Sequence, residues 1–337
     1  MRILTCMIAA AVFGATSLSA QPPPQPPPPP CQPAAEQICD QQGPEDIVVI
    51  GNGWAAASAM SGTGGFALIR TATREVHTAY PSAAAAHQRD ASVYPECPGP
   101  PDPENFTTHG LYVDSDRGPI VRLFVVAHGA RESIEIFAID TSQSMPRVTW
   151  LGCVIAPDPI GLNSVRGLPD GGFITTNFLP RNSTREETAA MLNGTENGEL
   201  WEWHTESGWS QVPGSEAAGA NGLELSPDGR TIYVAAWGSQ SFFRLSRGID
   251  PPRRDEVRLG FRVDNIHWAS DGSLYAVGQA GEEWTVVSID PSTLDSTVLM
   301  SVPDTAEFSA GTAAAEVGGD LWVGSFRGNR IRVLPAP

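Results

Sequence analysis

Charge is scarce in this chain of 337 residues, and basic charge is scarcest: 18% of residues are charged, with 21 Lys and Arg against 38 Asp and Glu. The resulting net charge of −17 and pI near 4.7 argue against nucleic acid or an anionic membrane as partner, since both select for basic patches. Helical periodicity is nearly missing, which points to an all-β chain. The exception is TREETAAMLNG (184–194), which reads as a short helix. No segment after the N-terminus approaches the length needed to span a bilayer. No Gly-x-Ser-x-Gly elbow occurs, so a serine esterase is disfavoured. No cysteine spacing resembles a zinc site.

The N-terminus is a different kind of sequence from the rest. MRILTCMIAAAVFGATSLSA has an early Arg, an apolar run too short to span, and a small-residue end, the pattern of a secretory signal peptide (1–20) cleaved after Ala20. No cysteine follows the cleavage site directly, which disfavours a lipoprotein anchor. An exported protein, periplasmic or secreted, is expected. QPPPQPPPPP then opens a proline-rich tether (21–42), stiff and without a core of its own. Residues 43–337 remain for one large domain. After the signal, Cys31, Cys39, Cys97 and Cys153 stay in an oxidising compartment with three pairings open. Cys31–Cys39 or Cys39–Cys97 would tie down the N-terminal segment, while Cys153, in the apolar LGCVIA, reads as a buried free thiol.

What the chain has in quantity is turn-forming residues, 34 Gly and 30 Pro, and they recur in phase. NGLELSPDGRTIYVAAW (221–237) is a strand, a Ser-Pro-Asp-Gly turn and a second strand, a strong hairpin signal because Asp and Gly tolerate the backbone angles of tight turns. Asn221 stands seven residues before the turn residue Asp228, and the same offset links Asn163 to Asp170 and Asp264 to Asp271. The phase continues at Glu45, His109 and Thr312. Six units spaced by about 40–65 residues match the blades of a β-propeller, an all-β fold with six blades here. Its innermost strands face one central channel, so the six phase residues should meet on the axis. Glu45, Asn163, Asn221 and Asp264, with Asn265 beside the last, form an all-oxygen set suited to a hard cation such as Ca2+. His109 holds a ring position too, and His128 ends the next strand of the same blade (LFVVAHGA), within reach for proton exchange. His77, His87, His204 and His267 are assigned no role. Trp54, Phe178 and Trp237 are candidates for pocket walls, and the polar segment 178–199 for a cover over the channel.

GPEDIVVIGNGWAAAS, THGLYVD with FVVAHGARESIEIF, NSVRGLPDGGFITTN, ANGLELSPDGRTIYVAAW, VDNIHWASDGSLYAVG and SAGTAAAEVGGDLWVG together resemble the paraoxonase/arylesterase family of six-bladed propellers, relatives of gluconolactonase-type propellers. The resemblance runs from about Gly43 to the C-terminus. It implies a calcium-dependent hydrolase of lactones and aryl esters, with Glu45, Asn163, Asn221, Asp264 and Asn265 as ligands of the catalytic calcium. It further implies a His109–His128 dyad with His109 as general base. The family's second, structural calcium would correspond to Asp46, Leu111 and a third position that is Ser164 here, a lost carboxylate that weakens such a site. The family's disulfide between the first and last strands has no counterpart, because the chain ends IRVLPAP without cysteine.

The expected activity is therefore water attack on a small-molecule lactone or ester carbonyl polarised by Ca2+. Two alternatives stand beside it. One is a sugar-lactone hydrolase using the same ring with Asp264 in place of the histidine dyad. The other is a non-catalytic periplasmic propeller acting as a binding or scaffold module, a role this fold also hosts.

Overall fold

The computed structural model describes residues 27–114 and 118–336. The expected signal peptide and the first prolines of the tether lie outside the described residues. The strands fall into six sheets, five of four strands and one of five. Their innermost strands are Ile47–Gly51, Phe106–Asp114, Leu162–Gly167, Ala220–Leu225, Arg262–Trp268 and Gly311–Val317, the segments carrying the sequence phase. From each the chain zigzags outward through antiparallel neighbours, with Ala86–His87 added in parallel at the outer edge of the second blade, which is a six-bladed β-propeller.

The second strand of each blade is largely buried because both of its faces are covered by adjacent blades, and outside the polar FITTN of Phe173–Asn177 it is mostly apolar. Trp54–Ser58 (WAAAS) is buried at every position, and Thr231–Ala236 (TIYVAA) at all but its first. Core side chains accordingly lie between blades. Phe66 of the first blade, Phe106 and Phe137 of the second, and Phe173 and Trp203 of the third belong to one buried cluster. Burying each such side chain contributes about 1.5–3 kcal/mol.

Two expectations are corrected by the N-terminal region. The domain does not begin at residue 43: Gln37–Ile38 is the outermost strand of the sixth blade, pairing Gln37 with Arg332 and Ile38 with Ile331. The ring is thus closed by joining the first strand to the last through a hydrogen-bonded ladder. Arg330, 2% exposed, reinforces the closure by donating to Gln37 Oε1 (3.0 Å) and the Pro29 carbonyl (2.8 Å). Cys153 is also not a free thiol. Cys31 pairs with Cys39, and Cys97 with Cys153. Cys153 is buried as its apolar context suggests, at 2% exposure, but burial does not separate a thiol from a half-cystine. Its partner arrives on the loop between the first two blades, 56 residues away in sequence.

The expected helix is present at Arg185–Leu192, between the second and third strands of the third blade. Thr184 caps it: its Oγ1 accepts from Glu187 N–H (3.1 Å), and Glu187 returns the contact to Thr184 N–H (2.7 Å). Among the described residues no helix is long and apolar enough to cross a membrane.

Candidate metal centre and histidine relay

The phase residues reach the axis by a shared backbone device. All six inner strands shift register, and five do so at the ring position, between Thr108 and Leu111, Leu162 and Val165, Ala220 and Leu223, Val263 and Ile266, and Gly311 and Ala314; the first blade's shift falls later, between Val49 and Gly51. The first residue inside each of those five irregularities is His109, Asn163, Asn221, Asp264 or Thr312. A bulge re-aims a side chain that a regular strand would point at the neighbouring blade. The next residue is small in four of the five cases (Gly110, Ser164, Gly222, Ala313), which lets the inner strands crowd together. A Cβ on Gly222 would stand 2.6 Å from both Asn265 Cα and the Asp264 carbonyl oxygen.

The converged side chains form a linked set. Asn265 Nδ2 donates to Glu45 Oε1 (2.5 Å), and Thr312 Oγ1 to the Glu45 carbonyl (2.6 Å). Glu45 Oε1 lies 3.6 Å from His109 Nε2, which accepts from Asn163 Nδ2 (3.3 Å). Asp264 accepts from Gln279 Nε2 (2.7 Å) and from the Asn221 side chain. After these contacts three buried oxygens have no hydrogen-bond partner: Glu45 Oε2, Asn163 Oδ1 and Asn221 Oδ1. Each orphan of this kind costs about 1–3 kcal/mol. Among the described residues no three His, Cys, Asp or Glu group as a metal site, so the donor character rests on two carboxylates joined by amide oxygens.

The electrostatics point the same way. Burial, then the charges of Asp264 and Asp46, push the Glu45 carboxyl well above its ordinary range. Burial pushes Asp264 up to about 7, against the pull of its bonds to Gln279 and Asn221. Two buried acids facing orphaned amide oxygens lack a positive charge, and a hard divalent cation would supply it while satisfying all of them. The residues fit Ca2+.

His109 and His128 do meet, as expected: His109 Nδ1 lies 3.0 Å from His128 Nε2. The chain continues to a residue not anticipated. His128 Nδ1 is 2.9 Å from Glu132 Oε2, whose other oxygen accepts from Leu162 N–H (2.6 Å). With the Glu132 carboxylate accepting from His128 Nδ1–H, His128 Nε2 accepts from His109 Nδ1–H. His109 Nε2 is then left with its lone pair toward the ring. Burial and the neighbouring His128 hold His109 down to about 3, so it is neutral. His128, by contrast, has a side chain that is 25% exposed and faces the Glu132 carboxylate.

Above the ring, Phe178 and Trp237 meet edge to face (5.8 Å between centroids), and Trp237 Nε1 donates to the same Gln279 (2.9 Å) that holds Asp264. Met191 of the helix borders this end, close to Gly219 and Gly238. Trp54 is elsewhere. It begins its strand opposite Gly51, at the far end of the first blade, 1% exposed with Arg70 stacked on it. It is a packed core residue of its blade and not a wall of the ring.

Below the ring the structure overturns the dismissal of His267. His267 Nε2 is 2.7 Å from Asp46 Oδ1, and Asp46 Oδ2 accepts from Leu111 N–H (2.7 Å). Fully buried Arg166 donates to the Leu111 carbonyl (3.1 Å) and to Glu224 Oε1 (2.9 Å). Burial opposes a charge on His267, yet Asp46 and Glu224 outweigh it and lift the imidazole to about 9. The signal was in the sequence. Arg166, Glu224 and His267 each stand three residues after a ring residue, and with Val48, Tyr112 and Ala315 at the same step they line one cavity of about 400 Å³.

No protein-family model matches the chain, and no curated protein matches it. Solved structures do. Among them are a gluconolactonase from Xanthomonas campestris (16% identity, TM-score 0.56, covering 89% of this chain and 88% of that one) and luciferin-regenerating enzyme (13%, 0.56, 89% and 92%). Another is streptogramin B lyase (12%, 0.52, 90% and 87%). At these identities the likeness establishes the fold, and the fold carries more than one chemistry.

Proposed function

We propose that this propeller is a calcium-dependent hydrolase of lactones and aryl esters, akin to the paraoxonase/arylesterase family. The observation that carries the reading is the convergence of Glu45 Oε2, Asn163 Oδ1 and Asn221 Oδ1, buried and unpartnered, beside two carboxyls whose protons are held abnormally tightly. Glu45, Asn163, Asn221, Asp264 and Asn265 would hold the ion, with Asn265 turning its amide oxygen inward. When bound, Ca2+ supplies Lewis-acid polarisation of the substrate carbonyl and charge stabilisation of the oxyanion that forms on attack.

The chain's own residues handle the proton. His109 Nε2 carries its lone pair toward the ring, where Asn163 Nδ2 now donates to it, and takes a proton from the attacking water once that amide turns to the ion. A charged His109 is disfavoured where it is buried, so its Nδ1 proton passes to His128 Nε2, and the charge rests beside Glu132. The proton returns along the same path to the leaving alkoxide or phenolate when the ring-opening or ester bond breaks. Phe178 and Trp237 offer an apolar, aromatic wall to the organic part of the substrate.

The likeness to a gluconolactonase, with the Asp264 carboxyl at the ring, supports a second reading in which Asp264 is the base for a sugar lactone. Steady-state hydrolysis of phenyl acetate, simple aliphatic lactones and gluconolactone by His109→Gln separates the two. The dyad predicts a loss of about 10²–10⁴-fold in kcat on every substrate. Activity retained on gluconolactone would transfer the role to Asp264. No activity from the wild type on any of them would leave a binding module.

A further inference from the structure

The charges below the ring take no part in the proposed hydrolysis, yet they bring together four blades. Asp46 enters from the first, Arg166 from the third, Glu224 from the fourth and His267 from the fifth. The always-charged Arg166 and the imidazole of His267 meet two carboxyls there: Asp46 lies 2.7 Å from His267, and Glu224 lies 2.9 Å from Arg166 and 3.7 Å from His267. Arg166 is 3% exposed and Asp46 fully buried.

This is also where the second calcium of the resembling family would have to bind, through Asp46, Leu111 and position 164. The oxygens at that place are already used. Asp46 Oδ1 faces His267 and Oδ2 faces Leu111 N–H, while the Leu111 carbonyl accepts from Arg166 Nη1. What remains is the Ser164 hydroxyl, buried without a partner, and one neutral hydroxyl does not hold a hard divalent cation beside the Arg166 guanidinium. The contrast with the ring above is sharp. There carboxylates and amide oxygens lack a cation, whereas here the cation is part of the chain.

We propose that Arg166 and His267 take the place of a second metal ion, so that no divalent cation binds at Asp46 and the propeller axis stays closed when calcium is withdrawn. The residues do this by position: each sits three residues past a ring residue on its own inner strand, where the bulge turns it back to the axis. The inference concerns Asp46 and not the ring, so it stands or falls separately from the hydrolase reading.

Calcium per chain, counted by native mass spectrometry and equilibrium dialysis on wild type, Asp46→Asn and Asp264→Asn, tests it together with thermal unfolding in EGTA. The expected counts are one, one and none. Asp46→Asn should lower the melting temperature by the same amount with calcium and with EGTA, and the wild type in EGTA should keep its β-sheet circular dichroism and a cooperative transition. Two ions in the wild type, an ion lost in Asp46→Asn, or unfolding of the wild type on chelation would each overturn the proposal. Should Asp46→Asn not fold, the wild-type count and the EGTA melt still decide. A wild-type count of zero would leave Asp46 metal-free as proposed and contradict the ring reading instead.

Discussion

Glu132 turns a pair of imidazoles into a directed chain. Its carboxylate, 8% exposed, accepts from His128 Nδ1 and so fixes which nitrogen of each ring carries a proton. Glu132→Gln is expected to lower kcat by about 10-fold or more with little change in KM, and to shift the acid limb of the pH profile. A purely structural glutamate would move stability and leave that limb in place. Glu132 was hard to find in the sequence because it lies in the turn after a strand, outside any repeat phase. The ring residues obey the opposite rule: their phase exposed them, though not their orphaned oxygens. The paired acids also make a pH prediction. A carboxyl raised in the folded state contributes stability that is fully present below its ordinary value, 3.8 for Asp264, and lost as pH rises through about 7. Glu45 shifts in the same sense, and His267, raised to about 9, loses its contribution higher still. Asp46 and Glu224 are shifted down and act only at lower pH. The metal-free protein should therefore melt higher at about pH 5 than at about pH 8, and the gain from calcium should be larger at the higher pH. Equal gains at both would contradict the charge deficit at the ring.

At the scale of the strand, the bulge is the element that makes the site. Adding a methyl group at Gly222 would press a Cβ against backbone atoms of the fifth blade at 2.6 Å, which side-chain rotation cannot relieve. Gly222→Ala is predicted to cost about 1–3 kcal/mol and to weaken calcium binding as Asn221 and Asp264 are pushed apart, read by melting temperature and calorimetry. Hairpins were legible because Ser-Pro-Asp-Gly and its variants mark a turn wherever they occur. Bulges were not, since an irregular pairing leaves only a small residue after a polar one. The layer below was missed for the same reason: a regular strand repeats every second residue, but a bulge makes the next axis-facing position the third. Arg166, Glu224 and His267 become visible once that step is known.

For the whole molecule, six similar units predict a closed ring without saying how it closes. A strand of two residues, Gln37–Ile38, leaves no alternating pattern to read, and the tether's prolines mask its beginning. Removing residues 21–42 should therefore strip the outer strand and the Arg330 contacts from the sixth blade, lowering the melting temperature and exposing an edge prone to association. A tether without structural part would leave both unchanged, as melting and light scattering would report. The ring of blades exists to hold six inner strands at one axis, and the account rests on what that axis holds. The most direct measurement is hydrolysis of a lactone and of phenyl acetate by the protein, followed through EGTA treatment and calcium return. The account predicts activity abolished by EGTA and restored by calcium at concentrations matching the measured binding constant, with Asn221→Ala abolishing both. Hydrolysis that persists after calcium is removed and shown to be gone would contradict it.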